Sequence, residues 1–315
     1  MRQSIHPQIL SIIKISYQII LPAFIFFGII FSLINLVVLN SRALKPIHVN
    51  KYFVILSTCD LFIFILSIPT VISLNGCQIY YYPYFIHGVN TFFYVVQTFS
   101  LYNIFLITYD RYLAIYEYEY FNIIKKSKKK FIERILLTFI LSVILHIDPL
   151  INIEVYCQDL INNNVTTCSS SSSSSSSRWI INDGLSNDEN ENPKMVAWII
   201  RGLFVCAIPL LTIIFLNCII ICGVIKTKIQ DRHGNRAKNI ILAFTCSFII
   251  FNFPVLIHAA VFGKNVDNCH GSFEEEIFRS IANFLLLFDH LSRIFFLFFH
   301  VNYLDVLKSK MGYCC

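Results

Sequence analysis

Charged side chains are scarce in this sequence. Only 14% of the 315 residues are charged, 56% are hydrophobic, and the mean hydropathy is +0.64. A soluble domain carries about 25% charged residues, so this composition excludes a chain of soluble globular domains. It favours a membrane protein built as one helical bundle. A net charge of +6 suggests nucleic-acid binding in a soluble protein, but here the positions of the basic residues explain it.

The sequence also lacks the motifs of enzymes and metal sites. It contains no His-Glu-x-x-His motif, no nucleophile elbow, no Gly-rich phosphate loop and no Cys/His metal spacing. We therefore expect neither catalysis nor a cofactor. No small-residue cleavage site follows the first apolar run. We expect that run to serve as the insertion signal in place of a cleavable signal peptide.

Long apolar stretches are what the sequence does contain. There are seven, and each supplies the roughly 20 apolar residues that a membrane-spanning helix needs. They are apolar on all faces without period-two alternation, which argues against strands of a barrel. We predict an all-α membrane protein in which residues 15–300 form a seven-helix bundle, between an N-terminal segment 1–14 and a tail 301–315. The predicted spans are 15–39, 52–74, 89–115, 132–153, 195–225, 238–262 and 276–300.

The basic residues predict the orientation of this bundle, because cytoplasmic loops are enriched in Lys and Arg. Sixteen lie on the side of the tail and five on the other side. We therefore expect the tail in the cytoplasm and the N-terminus outside, with the run Lys125–Lys130 facing the anionic inner leaflet rather than nucleic acid. The sixteen are Arg42, Lys45, Lys51, Lys125, Lys126, Lys128, Lys129, Lys130, Arg134, Lys226, Lys228, Arg232, Arg236, Lys238, Lys308 and Lys310.

One predicted outer loop differs in composition from the rest of the chain. Residues 158–193 contain a serine tract, Ser169–Ser177, followed by an acidic, Asn-rich stretch. This composition cannot form a core, so we predict a disordered insertion. The loop also holds the glycosylation sequon at Asn164, on the predicted outer side. Oxidation is possible for the cysteines of the outer loops, which are Cys77, Cys157, Cys168 and Cys269.

Motifs within the spans are similar to those of rhodopsin-like (class A) G-protein-coupled receptors. The third span ends in Tyr109-Asp110-Arg111-Tyr112, ahead of a basic loop. The resemblance covers about residues 40–305 and implies a seven-helix receptor. In such receptors Asp110, Arg111 and Tyr112 form the G-protein switch, and Asp110 holds Arg111 at rest. Helix six, with Asn252, swings outward on activation by pivoting near Pro254.

The resemblance also implies a polar site in the middle of the bundle. Asn35, Asp60 and Ser100 converge there in relatives and hold water and a sodium ion, and oxygen ligands suit such a hard cation. This sequence departs from the family in helix seven, where Asp289 and Arg293 replace two asparagines. Being four residues apart, they share a helical face. Arg293 either pairs with Asp289 or reaches Asp60 and takes the place of the sodium ion.

Two features of the predicted surfaces follow from the same resemblance. A disulfide is expected to join Cys77, near the top of helix three, to Cys168 or Cys157 in the second outer loop. In the tail, apolar and charged residues alternate between Tyr303 and Tyr313, as in a short interfacial amphipathic helix. The cysteines at the end of this eighth helix, where S-acylation commonly anchors receptor tails, are Cys314 and Cys315.

Four short patches are similar to invertebrate FMRFamide-type neuropeptide receptors. The third-span patch, 96–102, reads Val-Gln-Thr-Phe-Ser-Leu-Tyr and follows Tyr-Pro-Tyr at 82–84. This narrower resemblance implies a receptor for an extracellular peptide, acting at the plasma membrane through a heterotrimeric G protein. The other patches are 147–154, 251–254 and 283–286.

Two absences narrow the ligand. Amine receptors place an Asp eighteen residues before the switch arginine, where this chain has Phe93, and opsins need a lysine in the last span, 276–300, which contains none. A peptide fits best, with a chemosensory receptor for a small environmental molecule as the alternative. A seven-helix transporter or channel ranks third, because the internal repeats usual in transporters are missing. The expected pocket residues are Tyr94, Gln97, Thr98, Tyr102 and His258.

Overall fold

The computed structural model describes residues 19–41, 48–74, 83–147, 154–159, 165–167, 177–182, 203–226, 247, 250–251 and 273–298. Seven α-helices and three strands lie within these ranges. The helices are α1 (Leu21–Leu39), α2 (His48–Leu74), α3 (Pro83–Tyr116), α4 (Tyr118–Lys126), α5 (Lys128–His146), α6 (Ile208–Lys226) and α7 (Phe273–Phe298). A π-helical turn, Leu203–Ala207, leads into α6.

Six of the predicted spans coincide with a described helix, namely α1, α2, α3, α5, α6 and α7. Most of the predicted sixth span, 238–262, lies outside the described residues, as do the segment 1–14 and the tail. Among the described helices, four stretches are long and apolar enough to cross a membrane. They are Leu21–Leu39, His48–Pro69, Gly88–Tyr116 and Leu203–Gly223.

Large apolar side chains cover the outside of these helices. Phe26 of α1, Leu137 of α5 and Phe215 of α6 are each more than 60% exposed. A soluble protein rarely exposes contiguous apolar surface on this scale, whereas lipid contact requires it. Polar side chains instead face the inside, where Asn35, Ser100 and Asn103 are no more than 1% exposed. The bundle is therefore apolar on its outside and keeps these polar side chains in its interior, as a membrane protein does.

Helix α3 is the central element of the bundle. It packs against α2, α5 and α6, while α1 packs against α2 and α7. One apolar core joins α1, α2, α3 and α7 around Ile63 and Phe64, and a second joins α2, α3 and α6 around Ile213. Because α3 contacts so many neighbours, polar side chains on its different faces meet partners from different helices.

Helix ends differ from the predicted spans where local chemistry overrides hydropathy. Helix α3 begins at Pro83, since proline is well suited to a first helical position. Helix α5 begins after Ser127, whose hydroxyl accepts from the Lys130 amide at 3.3 Å. It ends at His146 rather than at 153 because Pro149 follows. The short helix α4 was not predicted, since its charges hide it from a hydropathy argument.

Three strands lie at the start of the predicted outer insertion and within it, namely β1 (Glu154–Asp159), β2 (Val165–Thr167) and β3 (Ser177–Asn182). They form an antiparallel sheet in the order β2-β1-β3. The prediction of disorder over 158–193 therefore fails for the strand residues within that range. Its error was to average the loop composition, because β3 contains the strand-forming run Trp179-Ile180-Ile181 beside the serine tract. The rest of the insertion lies outside the described residues.

A close approach of two helices explains one glycine. A Cβ at Gly28 of α1 would overlap the ring of Phe64 on α2, and that ring is fully buried. At Gly88 of α3 a Cβ would meet nothing within 4 Å. The two glycines therefore differ in what a methyl group would encounter.

Alanine substitutions at these glycines are expected to have opposite effects. Gly88→Ala should leave thermal stability unchanged or raise it, because alanine favours a helix by about 1 kcal/mol over glycine. Gly28→Ala should lower stability by about 1–3 kcal/mol through overpacking. Thermal unfolding of the purified variants measures both. Equal shifts in the two variants would contradict the close packing of α1 on α2.

Candidate functional site

Five polar residues from three helices form a cluster in the centre of the bundle. No residue of this central cluster is more than 4% exposed. They are Asp60 of α2, Ser100 of α3, and Asp289, His290 and Arg293 of α7. Ionisable groups inside a membrane domain are costly unless they pair, and such groups usually serve a function.

Arg293 connects the members of the central cluster. Its Nη1 donates to Asp60 Oδ1 at 3.2 Å and to Ser100 Oγ at 2.8 Å. Its Nη2 donates to Asp289 Oδ2 on the same helix. The two alternatives from the sequence thus occur together, because one guanidinium pairs with both carboxylates.

His290 is the member that the sequence did not single out. Its Nδ1 lies 2.7 Å from Asp60 Oδ1. A carboxylate oxygen only accepts hydrogen bonds, so the imidazole donates from Nδ1. In the helix-seven pattern of the family this position is a serine, and that departure was the available signal. Asp60 Oδ1 therefore accepts from two nitrogen groups of α7, and the one on Arg293 carries a positive charge.

The cluster does not fit the sodium ion that the resemblance implies. Asp60 and Ser100, the expected sodium ligands, both accept from Arg293 Nη1. A guanidinium at hydrogen-bond distance repels a cation at the same oxygens. Asn35, the third expected member, donates to Ser57 Oγ instead. The ligand set is thus already used by a cation of the chain itself.

A second charged group surrounds Asp110 at the end of α3. Its Oδ1 accepts from Arg134 Nη1 of α5 at 2.7 Å, and its Oδ2 lies 3.2 Å from His48 Nε2 of α2. That Asp110 holds Arg111 at rest stays a prediction. Asp110 contacts α2 and α5, and no hydrogen bond joins it to Arg111, the next residue of the helix, among the described residues, although its charge acts on Arg111.

The aromatic neighbours of the switch continue along α3. Tyr112 stacks between Tyr109 and Tyr116, with ring centroids 6.4 and 5.1 Å away. The Tyr116 hydroxyl donates to the Ile219 carbonyl of α6 at 3.0 Å. Arg111 is half-buried, and its Nε has no hydrogen-bond partner among the described residues.

The predicted pocket residues lie toward the other end of α3. Thr98 Oγ1 and His146 Nε2 of α5 are 2.7 Å apart, and the Tyr94 ring stacks on His146 at a centroid distance of 6.0 Å. Tyr94 is 53% exposed and thus lies on the α5 side of α3. The Tyr102 hydroxyl donates to the Phe204 carbonyl at 3.0 Å. Gln97 is half-buried.

A family profile for the 7 transmembrane receptor (rhodopsin family) matches residues 32–291. The chain belongs to this family. It is therefore a multi-pass membrane protein and a G-protein-coupled receptor, of a family that generally has no enzymatic activity and whose members have a ligand and a G protein as partners. No curated protein matches the chain.

Three residues of the receptor's polar sites came from positions that sequence reasoning passed over. Arg134 was counted only as a basic loop residue, and His48 and His146 were not considered. His48 and His146 lie at helix ends and Arg134 lies in the second turn of α5, where a polar residue next to an apolar run is unremarkable. A histidine or arginine inside an apolar run, or within one helical turn of it, would have indicated these polar sites.

Several expected site residues of the receptor fall outside the described residues. Cys157 is in β1, opposite Thr166 of β2 and Trp179 of β3. Its pairing with Cys77 stays a prediction. The expected site residues that lie outside the described ranges are Cys77, Asn164, Cys168, Asn252, Pro254, His258, Cys314 and Cys315.

Proposed function

We propose that this receptor binds an extracellular peptide of the FMRFamide type and activates a heterotrimeric G protein at the plasma membrane. The observation that carries the proposal is the placement of Asp110-Arg111-Tyr112 within the matched family region, at the end of the most central helix. Helix α3 connects this end to the polar residues at its other end. A ligand that shifts α3 against its neighbours would therefore also move Asp110-Arg111-Tyr112.

The surface next to the switch suits a G protein. Lys126, Lys128, Lys129 and Lys130 are exposed at the junction of α4 and α5, directly after the switch segment. The excess of basic residues on this side supports a cytoplasmic location. Arg111 supplies a donor that has no partner within the described part of the chain. A carbonyl or carboxylate of the G protein is a suitable acceptor for it.

The opposite end of α3 suits a peptide. Tyr94 presents an exposed aromatic ring that stacks on His146, and the buried hydrogen bond between Thr98 and His146 fixes that ring's support. The first turn of α7 carries Glu274 and Glu275, which can pair with the arginine of an Arg-Phe-amide peptide. The four FMRFamide-like patches support the same ligand class.

A peptide screen in cells tests the proposal. Cells that express the receptor with promiscuous G proteins should respond to one or more amidated Arg-Phe peptides. The response should fall at least tenfold when the peptide arginine is replaced by norleucine, because the charge is lost. The Arg111→Gln receptor, at equal surface expression, should bind the active peptide without signalling. A response only to small molecules would support the chemosensory alternative and overturn the peptide assignment.

A further inference from the structure

Asp110 is the meeting point of three helices. Arg134 of α5 occupies its Oδ1 at 2.7 Å, and His48 of α2 lies 3.2 Å from its Oδ2. We call Asp110, His48 and Arg134 the switch clamp. Asp110 is 1% exposed, and charged hydrogen bonds are the strongest kind in such a setting. Both carboxylate oxygens are thus used by other helices.

Aromatic rings hold the histidine of the switch clamp in place. His48 makes edge contacts with Tyr52 at 5.7 Å, Phe131 at 5.9 Å and Phe121 at 6.1 Å between ring centroids. Phe131 belongs to α5 and Phe121 to α4. The cage therefore ties four helices together around Asp110, and the clamp is a built part of the fold rather than a surface ion pair.

Among the described residues, Arg111 forms no hydrogen bond with the switch clamp, although the charge of the neighbouring Asp110 acts on its guanidinium. Its Nε is buried and has no hydrogen-bond partner among the described residues. A buried donor without an acceptor is unfavourable, so Arg111 gains free energy when an acceptor arrives. If Asp110 lost Arg134, its freed oxygen would be next to Arg111, the adjacent residue in the chain. The switch arginine would then have an acceptor within its own helix.

We propose that Arg134 and His48 are positioning residues of the G-protein switch. By occupying both oxygens of Asp110, they keep Arg111 free to bind an acceptor of the G protein. The switch arginine is thus unlocked in the resting receptor, and ligand-free activity depends on the clamp. This consequence rests on the proposed G-protein coupling, whereas the clamp itself does not.

Ligand-free nucleotide exchange tests the consequence. The purified receptor in lipid nanodiscs is mixed with a panel of heterotrimeric G proteins. Arg134→Gln should lower exchange at least threefold, because Asp110 captures Arg111. Glu133→Gln, on the same helix as Arg134, breaks an exposed pair with Lys129 and should have no effect. Adding Arg134→Gln to Asp110→Asn should cause no further loss, since no carboxylate remains. A rise in Arg134→Gln, or an equal loss in both backgrounds, overturns the proposal.

Thermal unfolding tests the clamp without any G protein. Asp110→Asn and Arg134→Gln should shift the melting temperature non-additively, because residues in one ion-pair network are coupled. Asp110→Asn and Arg111→Gln should couple less strongly, because no described hydrogen bond joins Asp110 to Arg111. The reverse pattern refutes the clamp. Absence of ligand-free exchange in a wild type that still responds to peptide would refute the unlocked switch. Absence of exchange both with and without peptide, while Asp110→Asn and Arg134→Gln remain coupled, would instead refute the proposed coupling to G proteins and leave the clamp in place.

Discussion

Replacing Arg293 by methionine is expected to lower the free energy of unfolding by about 3–5 kcal/mol, the cost of breaking a buried ion pair from one side. Methionine keeps much of the side-chain volume, so packing changes little. Asp60 and Asp289 are left as two buried carboxylates, each at most 2% exposed. Asp60 keeps its hydrogen bond from His290 but loses its cation. Ser100 also loses its donor. Thermal unfolding of the purified receptor measures the loss.

A charge-free variant separates electrostatics from packing. Asp60→Asn and Asp289→Asn, added to Arg293→Met, remove all three charges and should recover most of the lost stability, because replacing a whole buried network is often neutral. Lys129→Met breaks an exposed pair 3.8 Å long and should cause no comparable loss. If the triple variant is as unstable as Arg293→Met alone, the loss comes from packing and the charges are not what holds α7 to α2.

Hydropathy predicted most of the helices, because a span in lipid must satisfy its backbone internally and be apolar outside. It failed at α4, where Glu119 and Lys126 lower the mean hydropathy of a helix whose Phe121 nonetheless packs against His48. Strand β3 was hidden in the same way by the serines before it. In both cases the structure depends on which residues face a neighbour, which an average over the segment does not record.

The central cluster was half predictable. Asp289 and Arg293 are four residues apart, and helical geometry alone brings such residues together. The contact between His290 and Asp60 joins residues 230 positions apart, and no local rule places them. The partners of Asp110 were missed for the same reason, since His48 precedes it by 62 positions. Local pairs follow from spacing, whereas long-range pairs require the packing of the helices.

Sodium is expected to have no specific effect on the wild-type receptor. An ion shifts a conformational equilibrium only through a difference in its affinity for the two states. Arg293 already donates to both expected ligands, Asp60 and Ser100, in every state that keeps α7 against α2. Asp60 is thus paired with a tethered cation that salt cannot remove.

Replacing three residues of α7 by the residues of the family pattern should allow sodium to bind at Asp60. In Asp289→Asn/His290→Ser/Arg293→Asn, Asp60 is the one remaining charge of the central cluster, and Ser100 is free to act as a second oxygen ligand. Sodium at a hundred times its dissociation constant should then stabilise the protein by about 2.7 kcal/mol. The control is the same variant with Asp60→Asn, which lacks the carboxylate and should not respond.

The most direct measurement of the central claim, that Arg293 neutralises Asp60 from within, is the melting temperature of the ligand-free receptor in sodium chloride against choline chloride at equal ionic strength. The account predicts identical melting temperatures for the wild type in the two salts, and a saturable rise with sodium for Asp289→Asn/His290→Ser/Arg293→Asn. A saturable rise with sodium in the wild type, abolished by Asp60→Asn, would contradict it.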